Sequence, residues 1–423
     1  VFADVLRRYL EYQGNRVRQI MNITDVGHLT SDADEGEDKI EKAARESKKD
    51  PWQIAEFYMN AFFEDVDKLN IRKPEKYPRA TEHVPEMIAI IQKLMDKGIA
   101  YFSNNCVYYD LSEFPDYGRL SGNTLEQLQA GKRIEVNPDK RGPFDFALWI
   151  SDPKHIMQWD SPWGRGYPGW HIECSAMSMK YLGETLDIHT GGEDNIFPHH
   201  DCEIAQSEGA TGKRFVNYWM HTRFLLVDGQ KMSKSLGNFY TLRDLLEKGY
   251  DAMAIRYVLM STNYHMPMNF TLPGIEAAKH SIQRLKDFKL RLESATGDGE
   301  NPEAAKALAK GQAGFEAGMD DDLNVSAALG ALFDMVHELN RIELTRSDAQ
   351  KALGLLARFD SVLGVLEEKQ PAILDAEVER LIQDREAARK RRDFAQADKI
   401  RQDLKARGIV LEDTPKGVRW KRM

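Results

Sequence analysis

Apolar residues recur at helical spacing at the start of the chain, in Val1, Phe2, Val5, Leu6 and Leu10. This spacing predicts an amphipathic helix that runs to about Tyr12 and is ended by Gly14. The apolar run at 17–22 (VRQIMN) then predicts a strand. Helical periodicity returns over 38–69 and again over 81–97.

The middle of the chain mixes short strands with turns and then returns to longer elements. Residues 100–150 predict short strands, which we interpret as an insertion between two halves of an α/β domain. We predict a helix at 170–182, a strand at 186–189 and, after the turn at 191–192, a second helix that opens at Pro198. A strand, a glycine turn and a helix in this order bring ligands to the carboxyl ends of parallel strands.

The last third of the chain is predicted to be helical. Thr241 and Asp244 have the spacing of a capping box, and helical periodicity then extends from 272 to 368. The composition of 294–302 (SATGDGENP) predicts a flexible linker within this region. A second break at 370–371 separates a tail from a helical bundle.

Composition places the chain among ordinary globular proteins with several domains. Of its 423 residues, 42% are hydrophobic and 30% are charged. No apolar run approaches the length of about 18 residues that a membrane span needs, so we expect no membrane partner. The three cysteines, Cys106, Cys174 and Cys202, are too few for a disulfide framework and indicate a reducing cytoplasm.

Charge is distributed unevenly along the chain. The net charge is −9, but residues 371–423 carry a net of +4, which leaves −13 for the rest. A basic tail on an acidic body can bind RNA locally. The same charges are also typical of a solvated helix, and charge alone favours that interpretation.

Cysteine, histidine and glutamate residues form one candidate metal site. His199 and Glu203 are four residues apart, so they share one face of the helix predicted after Pro198. Cys174 lies 25 residues before His199, on the helix predicted at 170–182. Sulfur, nitrogen and oxygen are all ligands that Zn²⁺ accepts. A His–Glu surface pair and an unrelated buried cysteine would give the same spacing, so the spacing alone does not decide.

Histidines are concentrated near the predicted strand ends. Five of the eleven fall within about fifty residues, at His171, His189, His199, His200 and His221. A single histidine is usually structural, but five together indicate a polar site. Trp170 precedes the first of them and could stack on a ligand or fill the core.

A lysine–serine loop forms the second candidate site. It follows a predicted strand at 224–227 and an Asp-Gly turn, and it reads Lys231-Met-Ser-Lys234-Ser. Two ammonium groups on a short loop can neutralise charge that develops on a leaving pyrophosphate. A solvated surface loop has a similar composition.

The pentapeptide Lys-Met-Ser-Lys-Ser is a signature of class I aminoacyl-tRNA synthetases, and its surroundings resemble the cysteinyl-tRNA synthetases. The motifs that carry this resemblance are Asn22–Asp25 (NITD), Gly169–Met177 (GWHIECSAM), His189–Asp194 (HTGGED), Phe197–His200 (FPHH), Glu203–Glu208 (EIAQSE), Asp320–Asn324 (DDDLN) and Asp393–Asp398 (DFAQAD). The resemblance runs from residue 1 to Trp420, and together these motifs are highly specific.

The resemblance implies roles for individual residues. Cys174, His199 and Glu203 match three of the four ligands of one Zn²⁺ per chain. The positions expected to line the cysteine pocket are Thr24, Trp170, His171, His189 and Asp194, with Asp194 facing the substrate ammonium. Lys231 and Lys234 match the catalytic lysines that bind the phosphates of ATP.

The resemblance also implies a domain order. We expect a Rossmann-like α/β catalytic domain at 1–80 and 166–230, interrupted by a connective insertion at 81–165. The signature loop and a stem-contact region follow at 231–271, then a helical anticodon-side bundle at 272–370. A small basic domain at 371–423 would help to recognise the anticodon.

Three departures accompany the resemblance. The fourth zinc ligand and the His-Ile-Gly-His signature of the family would precede residue 1, so we expect the intact protein to have a further N-terminal segment that forms the first strand. We expect residues 1–423 alone not to form the adenylate. Cys202 stands where the family commonly has Asn, and we expect a packed thiol there. The acidic loop at 27–38 is longer than usual, and the sequence assigns it no role.

The implied activity is that of a cysteine–tRNA ligase. Cysteine and ATP, with Mg²⁺, would form cysteinyl adenylate, and the amino acid would pass to the terminal adenosine of tRNA(Cys). The expected oligomeric state is a monomer. Two alternatives remain: the cysteine ligase of mycothiol biosynthesis, which lacks the tail found here at 387–420, and a tRNA-binding paralogue without adenylation activity.

Overall fold

A computed structural model describes residues 1–27, 39–47, 49–124, 127, 137–153, 155–366, 375–391, 393–407, 409–414 and 417–422. The chain forms two compact units, Val1–Leu366 and Glu367–Met423. The acidic loop of the sequence analysis lies outside the described residues, apart from Gly27. Among the described residues, no helix is long and apolar enough to cross a membrane.

The described residues of the first unit form helices and three small sheets. Its helices are Phe2–Tyr12, Lys39–Ser47, Pro51–Lys68, Val84–Asp96, Trp170–Leu182, Asp201–Thr211, Leu242–Glu247, Ala252–Ser261, Leu272–Glu293, Pro302–Asp320, Val325–Asn340 and Arg346–Leu363. Its strands are β1 Ala100–Ser103, β2 Cys106–Tyr109, β3 Phe146–Ile150, β4 Tyr167–Pro168, β5 Leu186–Gly192, β6 Val216–Thr222, β7 Leu225–Val227, β8 Gln230–Lys231 and β9 Met268–Phe270.

The parallel strands β5 and β6 form the part of the α/β fold that carries the polar residues. They pair in register from Leu186 with Val216 to Gly192 with Thr222. The helices Trp170–Leu182 and Asp201–Thr211 precede and follow β5 in the chain. This order confirms the predicted helix and strand. The predicted turn at Gly191 and Gly192 is wrong, since both residues extend β5 and pair with β6.

The predicted strand at 17–22 is wrong as a continuous element. The segment is extended and makes two isolated parallel bridges, Ile20 to Lys76 and Ile23 to Arg79. Ile23 N–H donates to the carbonyl of Pro78 at 2.8 Å, but Pro78 has no N–H to return to this segment. The proline therefore interrupts the ladder between the two bridges.

The helical periodicity at 38–69 belongs to two helices rather than one. The second begins at Pro51, and the carboxylate of Asp50 accepts a hydrogen bond from the Trp52 N–H at 2.8 Å. Proline suits the first helical turn but cannot continue the preceding helix, and an aspartate N-cap satisfies a free N–H. The apolar pattern continues across this break, which explains why the pattern alone did not reveal it.

The region predicted to be an insertion contributes β1, β2 and β3 to an antiparallel sheet in the order β1-β2-β3-β4. The short strands predicted within 100–150 are confirmed. Trp149 on β3 and Tyr109 on β2 are fully buried and form a core with the helix Val84–Asp96, to which Ile91 and Leu94 contribute. The sheet ends at β4, directly before the helix that carries Cys174, and β3 shares a hydrophobic core with that helix.

The N-terminal helix Phe2–Tyr12 packs on the helical bundle through a buried ion cluster. The Asp4 carboxylate accepts hydrogen bonds from Arg8 at 2.8 Å and from Arg256 at 2.6 Å. Burial opposes the charge of Asp4, but the two guanidinium groups outweigh it and lower the pKa of this carboxyl. Arg8 also donates to the carbonyl of Ser361, 353 residues later, and Arg256 donates to that of Leu363. The two arginines thus cap the carboxyl end of the helix Arg346–Leu363.

Replacement of Thr345 by alanine should lower the free energy of unfolding by about 1 kcal/mol. Thr345 and Asp348 form a reciprocal capping box at the start of the last bundle helix, and the Thr345 hydroxyl also donates to the carbonyl of Gly299. Urea denaturation followed by helical circular dichroism measures the change. Ser294→Ala is the control, because the exposed Ser294 hydroxyl donates to the carbonyl of Arg291 in the helix that Ser294 ends. Equal stability of the two variants would contradict the capping role.

The second unit contains two helices, Asp375–Lys390 and Phe394–Ala406, and an antiparallel pair, β10 Ile409–Thr414 with β11 Gly417–Arg422. A small core formed by Val378, Ile400, Leu404 and Ile409 joins the helices to β10. The basic tail is therefore a folded α/β unit rather than a single solvated helix.

Candidate active site

Two helices converge on the carboxyl end of β5. We call Trp170–Leu182, which carries Cys174, the cysteine helix, and Asp201–Thr211 the Glu203 helix. A single turn, Ile196–His200, leads into the Glu203 helix, and Phe197 within this turn has an extended backbone. His199 lies in this turn and Glu203 in the helix, and both are buried. Since the backbone is helical from Pro198 onwards, the predicted opening at this proline is confirmed.

Cys174, His199 and Glu203 come together as predicted. The Cys174 Sγ lies 3.5 Å from the His199 Nε2, which lies 2.9 Å from a carboxylate oxygen of Glu203. One ligand atom from each residue lies within 4.8 Å of the others. Sulfur, nitrogen and oxygen donors at this separation can surround one small cation.

The electrostatics of the cluster suit a cation. Burial, together with the carboxylates of Glu203 and Glu173, raises the pKa of the Cys174 thiol well above its usual value. Burial also opposes the charge of Glu203, but the imidazoles of His189 and His199 outweigh it and lower the pKa of the carboxyl. The site thus buries a carboxylate beside a thiol, and a bound cation would compensate for the buried negative charge.

More imidazole groups line the other side of Glu203. His189 on β5 places its Nε2 3.7 Å from the Glu203 Oε2, and the His200 Nδ1 lies 2.8 Å from the His221 Nε2. Burial lowers the pKa of His200 to about 3 and also lowers that of His189, so these rings are neutral at physiological pH. The ring of Trp219 lies 4.8 Å from that of His200. Neutral imidazoles and an indole make this side polar but uncharged.

The first turn of the cysteine helix supplies two of the predicted pocket residues. The Trp170 ring is half-buried and lies 4.2 Å from the ring of His199. The His171 Nδ1 lies 2.8 Å from the His199 Nδ1 and so orients that ring. The sequence left open whether Trp170 fills the core, and the structure gives it an intermediate exposure beside the candidate metal ligands.

The segment at 22–25 approaches the same cluster. The Asn22 amide donates to the Cys174 Sγ at 3.4 Å and reaches the hydroxyl of Thr24 at 3.5 Å. Thr24 itself is exposed, whereas Asp25 is buried and binds Arg79 and Thr81. Thr24 therefore stands at the rim of the cluster on a segment fixed by its neighbour.

Asp194 lies just beyond the end of β5 and is exposed. Its carboxylate folds over Gly192, where a Cβ atom would come within 2.3 Å of the Asp194 Oδ1. A Cβ at Gly191 would approach the His200 ring to 2.6 Å. The two glycines therefore allow the strand end to approach both polar side chains closely, which explains why glycine occupies the last two positions of β5.

Lys231 is the last residue of β8 and Lys234 lies on the loop that follows, and both are exposed. The loop is closed by Asn238, whose side chain accepts from the Ser233 N–H at 2.8 Å and donates to the Lys231 carbonyl at 3.2 Å. The Lys234 ammonium stands 5.4 Å from the centre of the Phe239 ring. Within the described part of the chain, no hydrogen bond or ion pair joins either lysine to the Cys174 cluster.

Sequence reasoning missed two contributors to the site. Asn22 belongs to the Asn22–Asp25 motif, but its contact with Cys174 depends on the tertiary fold. Trp219 lies on β6, a strand that the sequence analysis did not predict, although Val216, Tyr218 and Met220 alternate there with polar or aromatic residues. The expected packed thiol of Cys202 is confirmed, since this residue is 1% exposed beside the Tyr117 hydroxyl.

Comparisons with known proteins agree over the whole chain. Residues 1–280 match the family model of the "tRNA synthetases class I (C) catalytic domain". Residues 314–367 match the DALR domain, and 373–420 match the "Cysteinyl-tRNA ligase anticodon binding domain".

Similar proteins give the same family. The Cysteine--tRNA ligase of Chlorobaculum tepidum is 45% identical over 442 residues, which cover 99% of this chain and 90% of that protein. The Cysteine--tRNA ligase of Thermus thermophilus is 45% identical over 436 residues, with coverage of 100% and 90%.

Solved structures support the fold. Methionyl-tRNA synthetase of Mycobacterium tuberculosis, in complex with methionyl-adenylate, superimposes with a TM-score of 0.61. Its sequence identity is 16%, and the match covers 86% of this chain and 87% of that one. With the family models and the close relatives, the class I synthetase fold is established, and the chain belongs to the cysteinyl-tRNA synthetase family.

Proposed function

We propose that this chain is a cysteine–tRNA ligase. In the first step, a carboxylate oxygen of cysteine attacks the α-phosphorus of ATP, and pyrophosphate leaves with Mg²⁺. In the second step, a ribose hydroxyl of the terminal adenosine of tRNA(Cys) attacks the acyl carbon, and AMP leaves. The observation that carries the proposal is the meeting of Cys174, His199 and Glu203 in a chain of this family that also has the unaltered Lys-Met-Ser-Lys-Ser loop.

The three residues fit a zinc ion by the chemistry of their donor atoms. A thiol sulfur, an imidazole Nε2 and a carboxylate oxygen lie within 4.8 Å of one another in a buried site. We propose that Cys174, His199 and Glu203 hold Zn²⁺, with His171 orienting His199. When bound, zinc supplies a soft centre that a substrate thiolate ligates better than a hydroxyl does.

The remaining residues of the site bind and orient the substrate. We propose that Trp170, His171, His189 and Thr24 line the cysteine pocket. The Asp194 carboxylate is exposed at the strand end, where it can pair with the substrate ammonium. Burial lowers the pKa values of His189 and His200, so their rings add little charge beside the thiol of the substrate.

Lys231 and Lys234 are the residues that we assign to ATP. We propose that their ammonium groups contact the phosphates and stabilise the charge that develops on the leaving pyrophosphate. Lys234 stands near an aromatic ring on an exposed loop, so it is free to reorient when ATP enters. Contacts that form only in the transition state raise the rate rather than the affinity for ATP.

Cysteine-dependent exchange of pyrophosphate into ATP tests the first step. The product of the complete gene should exchange label with cysteine and much less with serine, because a site built to bind a thiolate rejects the hydroxyl analogue. Transfer of labelled cysteine to tRNA(Cys) tests the second step. A protein that binds tRNA(Cys) without any exchange activity would contradict the proposal and support the tRNA-binding paralogue.

The tail separates the proposal from a ligase of the mycothiol type. Residues 373–420 match an anticodon-binding domain and fold as their own unit, as a tRNA ligase requires. We propose that 371–423 recognises the anticodon of tRNA(Cys). Because its substrates are ATP, cysteine and tRNA, we place the reaction in the cytoplasm. We also propose that the protein acts as a monomer.

Deletion of 371–423 should leave cysteine-dependent exchange within about twofold of normal but reduce tRNA charging at least tenfold, since anticodon contacts contribute only to tRNA binding. The deleted segment carries a net charge of +4, so tRNA binding should also become less sensitive to salt. Exchange, charging and filter binding at several salt concentrations measure the three effects. Unchanged charging kinetics would show that the tail does not contact tRNA.

A further inference from the structure

The sequence Asp320-Asp-Asp-Leu-Asn324 forms a turn between two bundle helices, and we call it the acidic turn. Asp322 has a φ of +50° and Leu323 a φ of +55°, so two successive residues other than glycine adopt the left-handed conformation. Leu323 is buried, with 7% of its surface exposed. Such a conformation persists only where surrounding contacts fix it, and it often marks a functional role.

The Asp322 carboxylate reaches out of the bundle to the segment at 263–270. Its Oδ1 accepts a hydrogen bond from the Tyr264 hydroxyl at 2.7 Å, and its Oδ2 lies 2.7 Å from the His265 Nε2. By contrast, the Asp321 carboxylate accepts a hydrogen bond from the Asn324 amide, within the acidic turn itself. Asp322 is thus the member of the turn that faces this segment.

The segment that Asp322 holds runs alongside the strand that leads to the lysine–serine loop. The Tyr264 carbonyl accepts from the Arg223 N–H at 3.0 Å, and β9 pairs in parallel with β7. The side chain of Asn269 accepts from the Gly229 N–H at 2.7 Å, at the turn before β8. Lys231 therefore lies in a sheet with β9, and the residues just before β9 are the ones that contact Asp322.

The same strand is also linked to the cysteine pocket. The Glu193 carboxylate forms an ion pair with Arg223 and accepts from the Phe224 N–H at 2.8 Å. Glu193 directly precedes Asp194, which is proposed to bind the substrate ammonium. Residues 223–224 therefore connect the segment held by Asp322 to the amino-acid side of the site.

We propose that Asp322 is a positioning residue for adenylate formation. It fixes the segment at 263–270 through Tyr264 and His265, and thereby sets the lysine–serine loop against the amino-acid pocket. It touches neither substrate, so its effect is on alignment of the reacting groups rather than on binding. This inference rests on the proposed ligase function.

Asp322→Asn is the informative change, because asparagine tolerates the left-handed conformation while the carboxylate charge is lost. We expect the kcat of cysteine-dependent exchange to fall about tenfold, with the KM values of ATP and cysteine within about twofold of normal. Asp321→Asn, at the neighbouring position, should behave like the unaltered protein. Cleavage by trypsin after Lys231 and Lys234 should become faster in Asp322→Asn at an unchanged thermal midpoint.

His265→Gln removes the opposite partner of the same contact without altering the acidic turn, and it should reproduce the fall in kcat. If both variants exchange at the normal rate, the inference is overturned. It is also overturned if activity falls only in proportion to the thermal midpoint in both variants, since that would be a general loss of stability. Absence of exchange in the unaltered protein would instead contradict the proposed function, so the two failures are distinguishable.

Discussion

Replacement of Cys174 by serine should remove most of the bound zinc and reduce cysteine activation at least a hundredfold. The sulfur lies 3.5 Å from the His199 Nε2 and is part of the buried donor set. Changes to groups that merely support a ligand cost about 10–100-fold in metal affinity, so loss of a ligand should cost at least as much. A hydroxyl is a poor substitute because Zn²⁺ favours the softer thiolate.

Metal analysis of the purified protein and cysteine-dependent exchange measure the two effects. The affinity for ATP should change little, since the proposed phosphate contacts lie on another loop. Cys106→Ser on β2 is the matched control, because it makes the same chemical change away from the cluster. Full zinc content in Cys174→Ser, with normal discrimination against serine, would refute the metal assignment.

Replacement of Lys234 by alanine should reduce the kcat of exchange about 10²–10³-fold, the range observed when one transition-state contact is removed. The KM for ATP should stay within about threefold of normal, because the contact is assigned to the transition state rather than to the bound substrate. Steady-state exchange kinetics at varied ATP concentrations separate the two parameters.

Lys248→Ala is the control for this change. Both lysines are exposed and stand near an aromatic ring, at 5.4 Å from Phe239 for Lys234 and 4.5 Å from Tyr240 for Lys248. Loss of a surface ammonium or of its ring contact would affect the two variants alike. A rise in the KM for ATP with normal kcat would mean that Lys234 contributes only to binding.

Elements with a strong local signal were predictable from the sequence. The helix at 170–182 and the capping box at Thr241 and Asp244 depend on residues close together in the chain, and both are confirmed. The meeting of His199 with Glu203 followed from helical spacing. The family itself could be identified because several motifs occur together in one order.

Features that depend on distant partners were not predictable in the same way. The strand β6 carries Trp219 and His221 in an alternating pattern, and its assignment depends on the pairing with β5. The segment at 17–22 looks like a strand locally, but Pro78 of its partner interrupts the ladder. The contact of Asn22 with Cys174 joins residues 152 positions apart, which no local pattern reports.

The ion cluster at Asp4 has a consequence for synthesis on the ribosome. Arg8 of the first helix binds a carbonyl that is added 353 residues later, and Tyr9 binds Asp320. At the usual elongation rate of about 5–20 residues per second, the first helix waits roughly 20–70 s for these partners. During that time the apolar residues of the helix, such as Val5, lack the bundle residues that bury them in the folded protein. Exposed apolar surface of this kind is what chaperones bind on nascent chains. The arginine contacts therefore make completion of the N-terminal core one of the last events in folding this unit.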